Sequence, residues 1–511
     1  MAPPSQTKPQ VVSIEHNTPT VDSPGPGMVF PELYTGQVVK APRLCALQPS
    51  NGLTSWTSTL TGYYFKEVAG LFSCFDGALN PFRTIVARAC ISSPAMLRTL
   101  QSMAGACLDD DLPHLKTLTH QLRAEAVALL NTEPEHGLES LLTLLMIGQT
   151  SSWFDARDLG IPHLIALKVR LREIGTHVCL LEAEQQEVFS FLQEALVYWE
   201  MLLSFVGADF GEDVSDRRPV SWYGLHSHAL PHPWTGVCGE IQLLVHDVGR
   251  LVRQERLQMC CTSWFGQRSV DEAEKAFRVA QQLERQLIGF PRPLDEFVST
   301  TGDVDTPVWH LYALSEAWRY TGLLNLYKAF PQLLESRYLC ESQAQCLQDM
   351  FCSWISPARP DEPEDGGADA WLLDLALGVL DLIESIPVTS RTKGQHPIIL
   401  VSCANQLCLS IDKEEPETEA AHQAPPPFFN VNAESGDDCA ETTLPSRQLS
   451  ILSARKLVKG RLVLLRHVLP SGPIDTCLEI VQRVWDHLDA GDSHIHWIDS
   501  MIQYGLHTTM G

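Results

Sequence analysis

The chain has 511 residues, and its 62 acidic against 37 basic side chains give a formal net charge of −25. A surface of this charge repels phosphate, so nucleic-acid binding across the general surface is excluded. Apolar runs fall short of the roughly 18–20 residues that span a bilayer, and the first residues lack the apolar core of a secretory signal, so we expect a soluble intracellular protein without membrane contact.

Residues 1–58 are rich in Pro, Ser, Thr and Gly, which predicts a disordered N-terminal tail. From residue 60 onward apolar side chains recur every three or four positions, as in amphipathic α-helices. Strand patterns are nearly absent, so the predicted fold class is all-α, a large array of packed antiparallel helices. Beyond the early helices that include 115–129, 138–145 and 189–203, helices are predicted over Ile241–Leu257, Val270–Ile288, Val308–Phe330, Trp371–Ile386, Ile398–Ile411, Arg447–Val468 and Ile474–His487.

Three segments interrupt the helical pattern. Residues 208–233 predict an exposed loop, residues 357–369 an acidic break, and residues 412–446 a disordered acidic insertion, because such compositions bury too little apolar surface to fold. Acidic residues beside Phe428-Phe429 are typical of segments that dock on coactivators, but a solvated linker is the simpler interpretation. The predicted organisation is therefore a tail, 1–58, and one helical domain, 59–511, that carries the acidic insertion.

The stretch from Tyr63 to Asp109 has the clearest local signals. Pro81 and Pro94 suit the first turn of a helix, and Ser93 can cap the helix that Pro94 begins. The small residues at 104–106 allow two helices to approach closely.

Cysteine spacing argues against a zinc site. A binuclear zinc cluster needs Cys-x2-Cys pairs, and none of the 15 cysteines forms one. Cys340, Cys346 and Cys352 recur every six residues, so they do not converge on a helix. The others lie mostly in apolar helical patterns, which predicts buried thiols in a reducing compartment.

Two histidine clusters and one aspartate run are candidate metal sites. His226, His228 and His232 share a loop, but no carboxylate or thiolate can be assigned to them, so we predict no metal and no cofactor. The run at 109–111 invites comparison with the aspartate-rich motif of all-α terpene synthases, yet no second metal motif follows, and a solvated helix N-cap is favoured. His494 and His496 are spaced to point apart on a helix.

Catalytic motifs such as His-Glu-x-x-His and Gly-x-Ser-x-Gly are missing from the sequence. We therefore predict that the chain is not an enzyme, with no catalytic or cofactor-binding residues. The basic residues Arg455, Lys456, Lys459, Arg461 and Arg466 alternate with apolar ones and predict the solvated face of a packed helix.

Four stretches together resemble the fungal-specific transcription factor domain, the helical regulatory region of zinc binuclear cluster transcription regulators. They are 63–109, the His-Pro-x-x-Gly turn at 232–236, the helix with Trp309-His310-Leu311-Tyr312, and the closing pattern from Trp485 to Trp497. The resemblance implies a fungal transcription regulator in the nucleus, with control of a catabolic or secondary-metabolite gene cluster as the expected role. The sequence lacks the zinc cluster, so direct DNA binding is doubtful. Contact with DNA would come from a partner protein, from transcription coregulators, or from a zinc cluster upstream of a truncated gene model.

The resemblance also allows a small-molecule effector and a homodimer. A ligand cavity would be lined by Trp309, Tyr312, Trp318 and Tyr320, although such aromatic residues more often fill a core. The alternatives kept open are an all-α enzyme of terpene-synthase type and a helical scaffold protein.

Overall fold

The structure is a computed structural model that describes residues 56–132, 137–207, 230–261, 270–290, 300–341, 367–409 and 446–510. Within these ranges it contains helices and connecting turns, with one isolated antiparallel bridge between His232 and Gly236 and no strand. The prediction of an all-α array of packed helices is confirmed. No helix in the described part of the chain is long and apolar enough to cross a membrane.

The helices are numbered here in chain order. The first, α1, is Trp56–Tyr63 and runs on through a π-helical turn, Tyr64–Val68, and a short turn, Ala69–Leu71. The others are α2 Pro81–Ser92, α3 Pro94–Ala106, α4 Lys116–Thr132, α5 Leu138–Gln149, α6 Ser151–Phe154, α7 Ile161–Gly175, α8 Ala183–Val206, α9 Gly239–Cys261, α10 Val270–Ile288, α11 Val308–Ala329, α12 Pro331–Glu341, α13 Gly367–Ser385, α14 His396–Ala404, α15 Ser446–Arg466, α16 Ser471–Asp489 and α17 Trp497–Tyr504. Short 3-10 turns lie at Pro113–Leu115, Val178–Leu180 and Arg391–Gln395.

The two predicted proline starts are confirmed. Asn80 caps α2, its side chain accepting from the Phe82 amide, and Ser93 caps α3 by accepting from the Met96 amide. Each proline occupies the first turn of its helix, where no helical hydrogen bond requires the N–H that proline lacks. The close approach predicted at 104–106 is also present, because a Cβ on Gly105 would lie 2.3 Å from Oγ1 of Thr119 on α4.

The centre of the array is α11. Nearly all of its residues are buried, and only Val308, Trp309, Glu316 and Lys328 are not. A helix that is covered all round belongs inside a large domain. It packs against α9 on one side and α13 on another, while α9 also packs against α8. This stack is the frame that positions the interior site described below.

Near the C-terminus, α15 and α16 form an antiparallel pair. Their contacts run in opposite order along the two helices: Arg455 with Asp489, Lys459 with Gln482, and Arg466 with Asp475. The two tryptophans of the closing pattern, Trp485 and Trp497, are both buried. The Trp485 indole N–H donates to the Ala404 carbonyl, and that of Trp497 donates to Asn325 of α11.

Several predicted boundaries differ from the observed ones. Helix α1 begins at Trp56, so the last three residues of the predicted tail are helical, and α13 begins at Gly367, inside the predicted acidic break. Helix α14 ends at Ala404 rather than at Ile411. The rest of the tail and break, the insertion up to residue 445, and His226, His228, Cys346 and Cys352 lie outside the described residues.

The aspartate run is not a helix cap. It forms the turn between α3 and the 3-10 turn at Pro113, whose N-cap is Leu112. Asp109 is half-buried and accepts a hydrogen bond from Thr119, while Asp110 accepts one from Ser471. The carboxylates therefore join neighbouring elements, which a spacing argument could not show.

Candidate functional site: an interior aromatic and amide cluster

A tight turn before α9 carries an aromatic side chain into the interior. The backbones of His232 and Gly236 exchange two hydrogen bonds of 2.8 Å, and Gly236 has a φ of +66°, which favours glycine. Between them, Trp234 lies with its ring centroid 5.2 Å from that of Phe72 and 5.4 Å from that of Tyr198. The turn thus joins the opening stretch of the domain to α8.

The imidazole of His232 holds this turn in shape. Its Nδ1 accepts from the amides of Trp234 and Thr235, and its ring stacks on Phe191 at 5.0 Å. Burial lowers the pKa of His232 to about 3, so the ring is neutral at physiological pH. The ring nitrogen that faces the turn is already occupied by two donors, and its role is structural.

Gln395 connects the turn to two core helices. Its Nε2 donates to the carbonyl of Trp234 at 2.7 Å, while its Oε1 accepts from Gln242 of α9 at 3.0 Å and from the Trp318 indole of α11 at 2.9 Å. All four residues are buried, where these hydrogen bonds fix one arrangement of the core. We call Gln395, Gln242, Trp318 and Trp234 the Gln395 cluster.

Ionic contacts form beside the Gln395 cluster. The Arg391 guanidinium lies 3.8 Å from Asp76 and 3.5 Å from Asp303, and Arg83 makes two further bonds of 2.6 Å to Asp76. Burial alone would raise the pKa of Asp76, but hydrogen bonds from Arg83 and Asn80 outweigh it, so that pKa is lowered. Gly70 makes room, since a Cβ there would lie 2.7 Å from Nη1 of Arg391.

A small cavity lies against these residues. Its volume is about 30 Å³, room for one water molecule. The side-chain Oε1 of Gln149, a residue only 3 % exposed, has no hydrogen-bond partner among the described residues, and Gln149 lines the cavity. The lining combines four aromatic rings with amide and guanidinium groups: Phe72, Trp153, Tyr198, Trp234, Gln149, Arg391 and Gln395.

A second, open cavity is a groove of about 600 Å³ between α4 and α6. Arg123 lies in it, donating to the Ile147 carbonyl and to Ser151, with its guanidinium 4.5 Å from the Phe154 ring centroid. Burial lowers the pKa of Arg123 to about 10. Its bonds attach α4 to the end of α5 and leave the groove as a shallow surface feature.

The four residues predicted for a ligand cavity do not lie on one side of α11. Trp309 is 38 % exposed, Tyr312 belongs to a small apolar cluster with Phe75 and Leu311, and Tyr320 is buried with its oxygen accepting from Arg319. Nine residues correspond to two and a half helical turns, so Trp309 and Trp318 lie on opposite sides of α11. None of the four lines either cavity above; Trp318 comes nearest, through its bond to Gln395.

The aromatic residues that do line the interior cavity were missed. Phe72, Trp153, Tyr198 and Trp234 are separated by up to 162 positions in the sequence, and periodicity along one helix carries no information about their convergence. The one usable signal was the His-Pro-x-x-Gly turn, because Trp234 is inside it.

The basic residues of α15 largely make contacts within the fold. Arg455 donates to the Leu407 carbonyl and pairs with Asp489, Arg461 donates to the carbonyls of Ile383, Glu384 and Ile386, and Arg466 pairs with Asp475. Arg461 thereby satisfies carbonyls at the end of α13. The predicted solvated face is therefore partly a set of internal bonds.

His496 is a helix cap. It precedes α17, its Nδ1 accepts from the Ile498 amide, and its own N–H donates to Asp499 at 2.9 Å. His232 and His496 therefore both fix a local backbone conformation by accepting hydrogen bonds from nearby amides. No group of three or more His, Cys, Asp or Glu in the described ranges could hold a metal ion.

A buried carboxyl beside the turn gives a pH-dependent prediction. Burial, with the charge of Glu240 adding to it, raises the pKa of Glu194 to about 8, and its Oε2 lies 3.6 Å from Nε2 of His232. The folded state holds this proton up to pH 8, whereas the unfolded chain loses it near pH 4.3. Folding stability therefore falls as pH rises between these values. Glu194→Gln should gain stability over wild type across that interval, by about 4–5 kcal/mol at pH 8.

Urea unfolding of both proteins from pH 5 to pH 8.5 measures this difference. The lowered pKa of His232 acts in the opposite direction at lower pH and is present in both proteins. Glu187→Gln, an exposed change on the same helix, should track wild type at every pH. A Glu194→Gln difference that stays constant with pH would contradict the expectation.

The fold and the site define an all-α type of domain, in which buried aromatic and amide groups join distant parts of the chain. The family profile described as the fungal specific transcription factor domain matches residues 59–401, about two-thirds of the chain. The chain therefore belongs to the fungal-specific transcription factor domain family, and the resemblance found in the sequence is confirmed. No curated protein and no solved structure matches the chain.

Membership makes this protein a fungal transcription regulator. The family is regulatory rather than catalytic, which favours the prediction that the chain is not an enzyme. The matched residues include the three segments that form the interior site. They are the stretch ending in Phe72–Asp76, the turn at 232–236 and the 3-10 turn at Arg391–Gln395.

Proposed function

We propose that this regulator works in the nucleus on genes of a catabolic or secondary-metabolite cluster, and that it reaches them through a DNA-binding partner or coregulator. A zinc cluster encoded upstream is the second route to DNA. The observation that carries the first route is the use of basic side chains. On α15, Arg455, Arg461 and Arg466 bond to carbonyls and carboxylates of the fold itself. Combined with a net charge of −25, this supports recruitment rather than direct reading of duplex.

The expected result for the isolated chain is no shift of duplex DNA at physiological salt. An electrophoretic assay on promoter fragments should be set beside a genome-wide occupancy map in the source cells. Occupancy at promoters without binding by the isolated chain supports recruitment by a partner. Sub-micromolar binding to a defined sequence, with affinity falling steeply with salt, would overturn it.

The interior cavity supports a small-molecule effector as part of this proposal. Its aromatic rings and the Oε1 of Gln149 suit a flat ligand with one hydrogen-bond donor. At about 30 Å³ it is far smaller than the roughly 300–1,000 Å³ of common ligand sites, so binding requires rings such as Trp153 to move. Effector binding would then change the packing of α6 and the 232–236 turn. Thermal melting of wild type and Gln149→Leu with candidate metabolites would distinguish effector binding from occupation of the cavity by water alone.

A further inference from the structure

Helix α15 is unusual in its charge. It carries six basic residues and no acidic one, in a chain whose net charge is −25. The arginines at 455, 461 and 466 are used inside the fold, as described above. The Lys459 ammonium donates to Gln482 and lies 5.2 Å from the Trp485 ring centroid. Its positive charge therefore lies at the edge of α15, beside α16.

One side of α15 is left exposed and apolar. Leu449, Leu452 and Val463 are 54 %, 41 % and 38 % exposed, and Lys456 and Gly460 lie exposed between them. At 100° per residue these five positions fall within one quarter of the helix circumference, over a length of about 21 Å. We call Leu449, Leu452, Lys456, Gly460 and Val463 the α15 face.

The chain that enters α15 has the opposite charge. Residues 410–445 contain nine acidic residues and one lysine, together with the pair Phe428-Phe429. Acidic groups complement Lys456 and Lys459, and the two rings offer the apolar area that exposed leucine and valine side chains can cover.

Both ends of that segment lie close to α15. The Leu409 amide donates to Asp489 at 3.1 Å, and Asp489 pairs with Arg455, so the segment leaves the fold beside the middle of α15. It returns at Ser446, the first residue of α15, only about 14 Å away along the helix axis. Thirty-six residues can extend to about 120 Å, so the segment can reach the whole face. Such tethering sets an effective concentration on the order of millimolar, at which even weak contacts are populated.

We propose that the α15 face is a docking surface and that residues 410–445 of this chain are its occupant. The carboxylates of the segment bind against Lys456 and Lys459, and its apolar residues cover Leu452 and Val463. Because the charges are near the surface, the contact weakens as salt is raised. An acidic, aromatic partner protein would compete for the same face.

Zero-length carbodiimide crosslinking of the full chain tests this directly. Mass spectrometry should find Lys456 joined to carboxylates between residues 412 and 441, more than fivefold more often at 50 mM than at 500 mM NaCl. Lys275, an exposed lysine of α10, is the internal control and should not join that segment. Crosslinks from Lys275 as frequent as those from Lys456 would overturn the proposal.

A binding experiment gives an independent answer. In a variant chain, residues 410–445 are replaced by a Gly/Ser linker of equal length, and a labelled peptide of the native segment is titrated in. The peptide should bind the variant at least tenfold more tightly than it binds wild type, whose own segment occupies the face. Adding Lys456→Glu should weaken binding at least fivefold, whereas Lys275→Glu should leave it unchanged.

Other occupants appear as distinct outcomes of the same titration. If duplex DNA binds the linker variant through Lys456 while the peptide does not, the face contacts phosphate and the proposal is wrong. If the linker variant instead dimerises, the dimer is lost with Leu452→Glu, and the peptide fails to bind, the occupant is a second copy and the proposal is also wrong. Melting of the linker variant and of Lys456→Glu at the wild-type temperature confirms that each is folded.

Discussion

Replacing Asp499 with alanine is expected to destabilise the protein by about 3–5 kcal/mol, because it leaves a buried arginine without its partner. Asp499 is 9 % exposed and Arg256 of α9 is 7 % exposed, and the two share a pair of hydrogen bonds. The same carboxylate accepts the His496 N–H in the cap of α17. Arg256→Ala should have an effect of similar size, and urea unfolding measures both.

The matched control is Glu479→Ala, which removes an exposed carboxylate from a pair with Arg483 on α16. Its effect should stay within about 0.5 kcal/mol, as for surface pairs in general. The comparison also tests the domain boundary, since Asp499 lies beyond residue 401, where the family match ends. If Asp499→Ala unfolded no more readily than the control, the C-terminal helices would not be part of the same folding unit.

Gly148→Ala is expected to destabilise the protein by about 2–3 kcal/mol through overpacking. A Cβ at Gly148 would lie 2.1 Å from the Trp199 ring and 2.7 Å from Cβ of His163. Trp199 is fully buried, so its ring cannot turn away without moving α8. Thermal melting and near-ultraviolet circular dichroism should show a lower midpoint and a changed tryptophan signal.

Gly62→Ala serves as the control for the same chemical change. Gly62 lies exposed in α1 with nothing within 4 Å of the added Cβ, so the substitution should stabilise the helix by about 0.5–1 kcal/mol. Opposite signs for the two substitutions would tie the effect to packing. Equal, small effects would show that α5 and α8 can separate at no cost, contrary to the structure.

Sequence reasoning was strongest where one residue acts on its neighbours. Pro81, Pro94 and Ser93 were assigned to helix starts because caps depend on a few adjacent positions, and Val270–Ile288 was bounded correctly because its apolar stripe is regular. Helix α14 was predicted too long, since its continuous apolar run Ile398–Val401 sets no limit on where the helix stops. Local rules could predict where these helices lie along the chain, but not how they pack against one another.

The interior site was the part that sequence could not give. Choosing aromatic residues on one helix gave Trp309, Tyr312, Trp318 and Tyr320, which share a helix but not a side of it. The cavity instead collects between one and four residues from each of several elements. Gln395, a single amide in a 3-10 turn, joins Trp234 to Trp318 without any recognisable motif. Convergence of this kind depends on the tertiary packing of distant segments.

The Gln395 cluster also constrains how the protein is made. At a synthesis rate of about 5–20 residues per second, the ribosome needs roughly 15–65 s to proceed from Phe72 to Gln395. Phe72 precedes the amide of Gln395 by the whole of that interval, and Trp234 precedes it by the second half. Until then the rings cannot complete their native packing, so we expect the folded yield to depend on translation speed over residues 234–395.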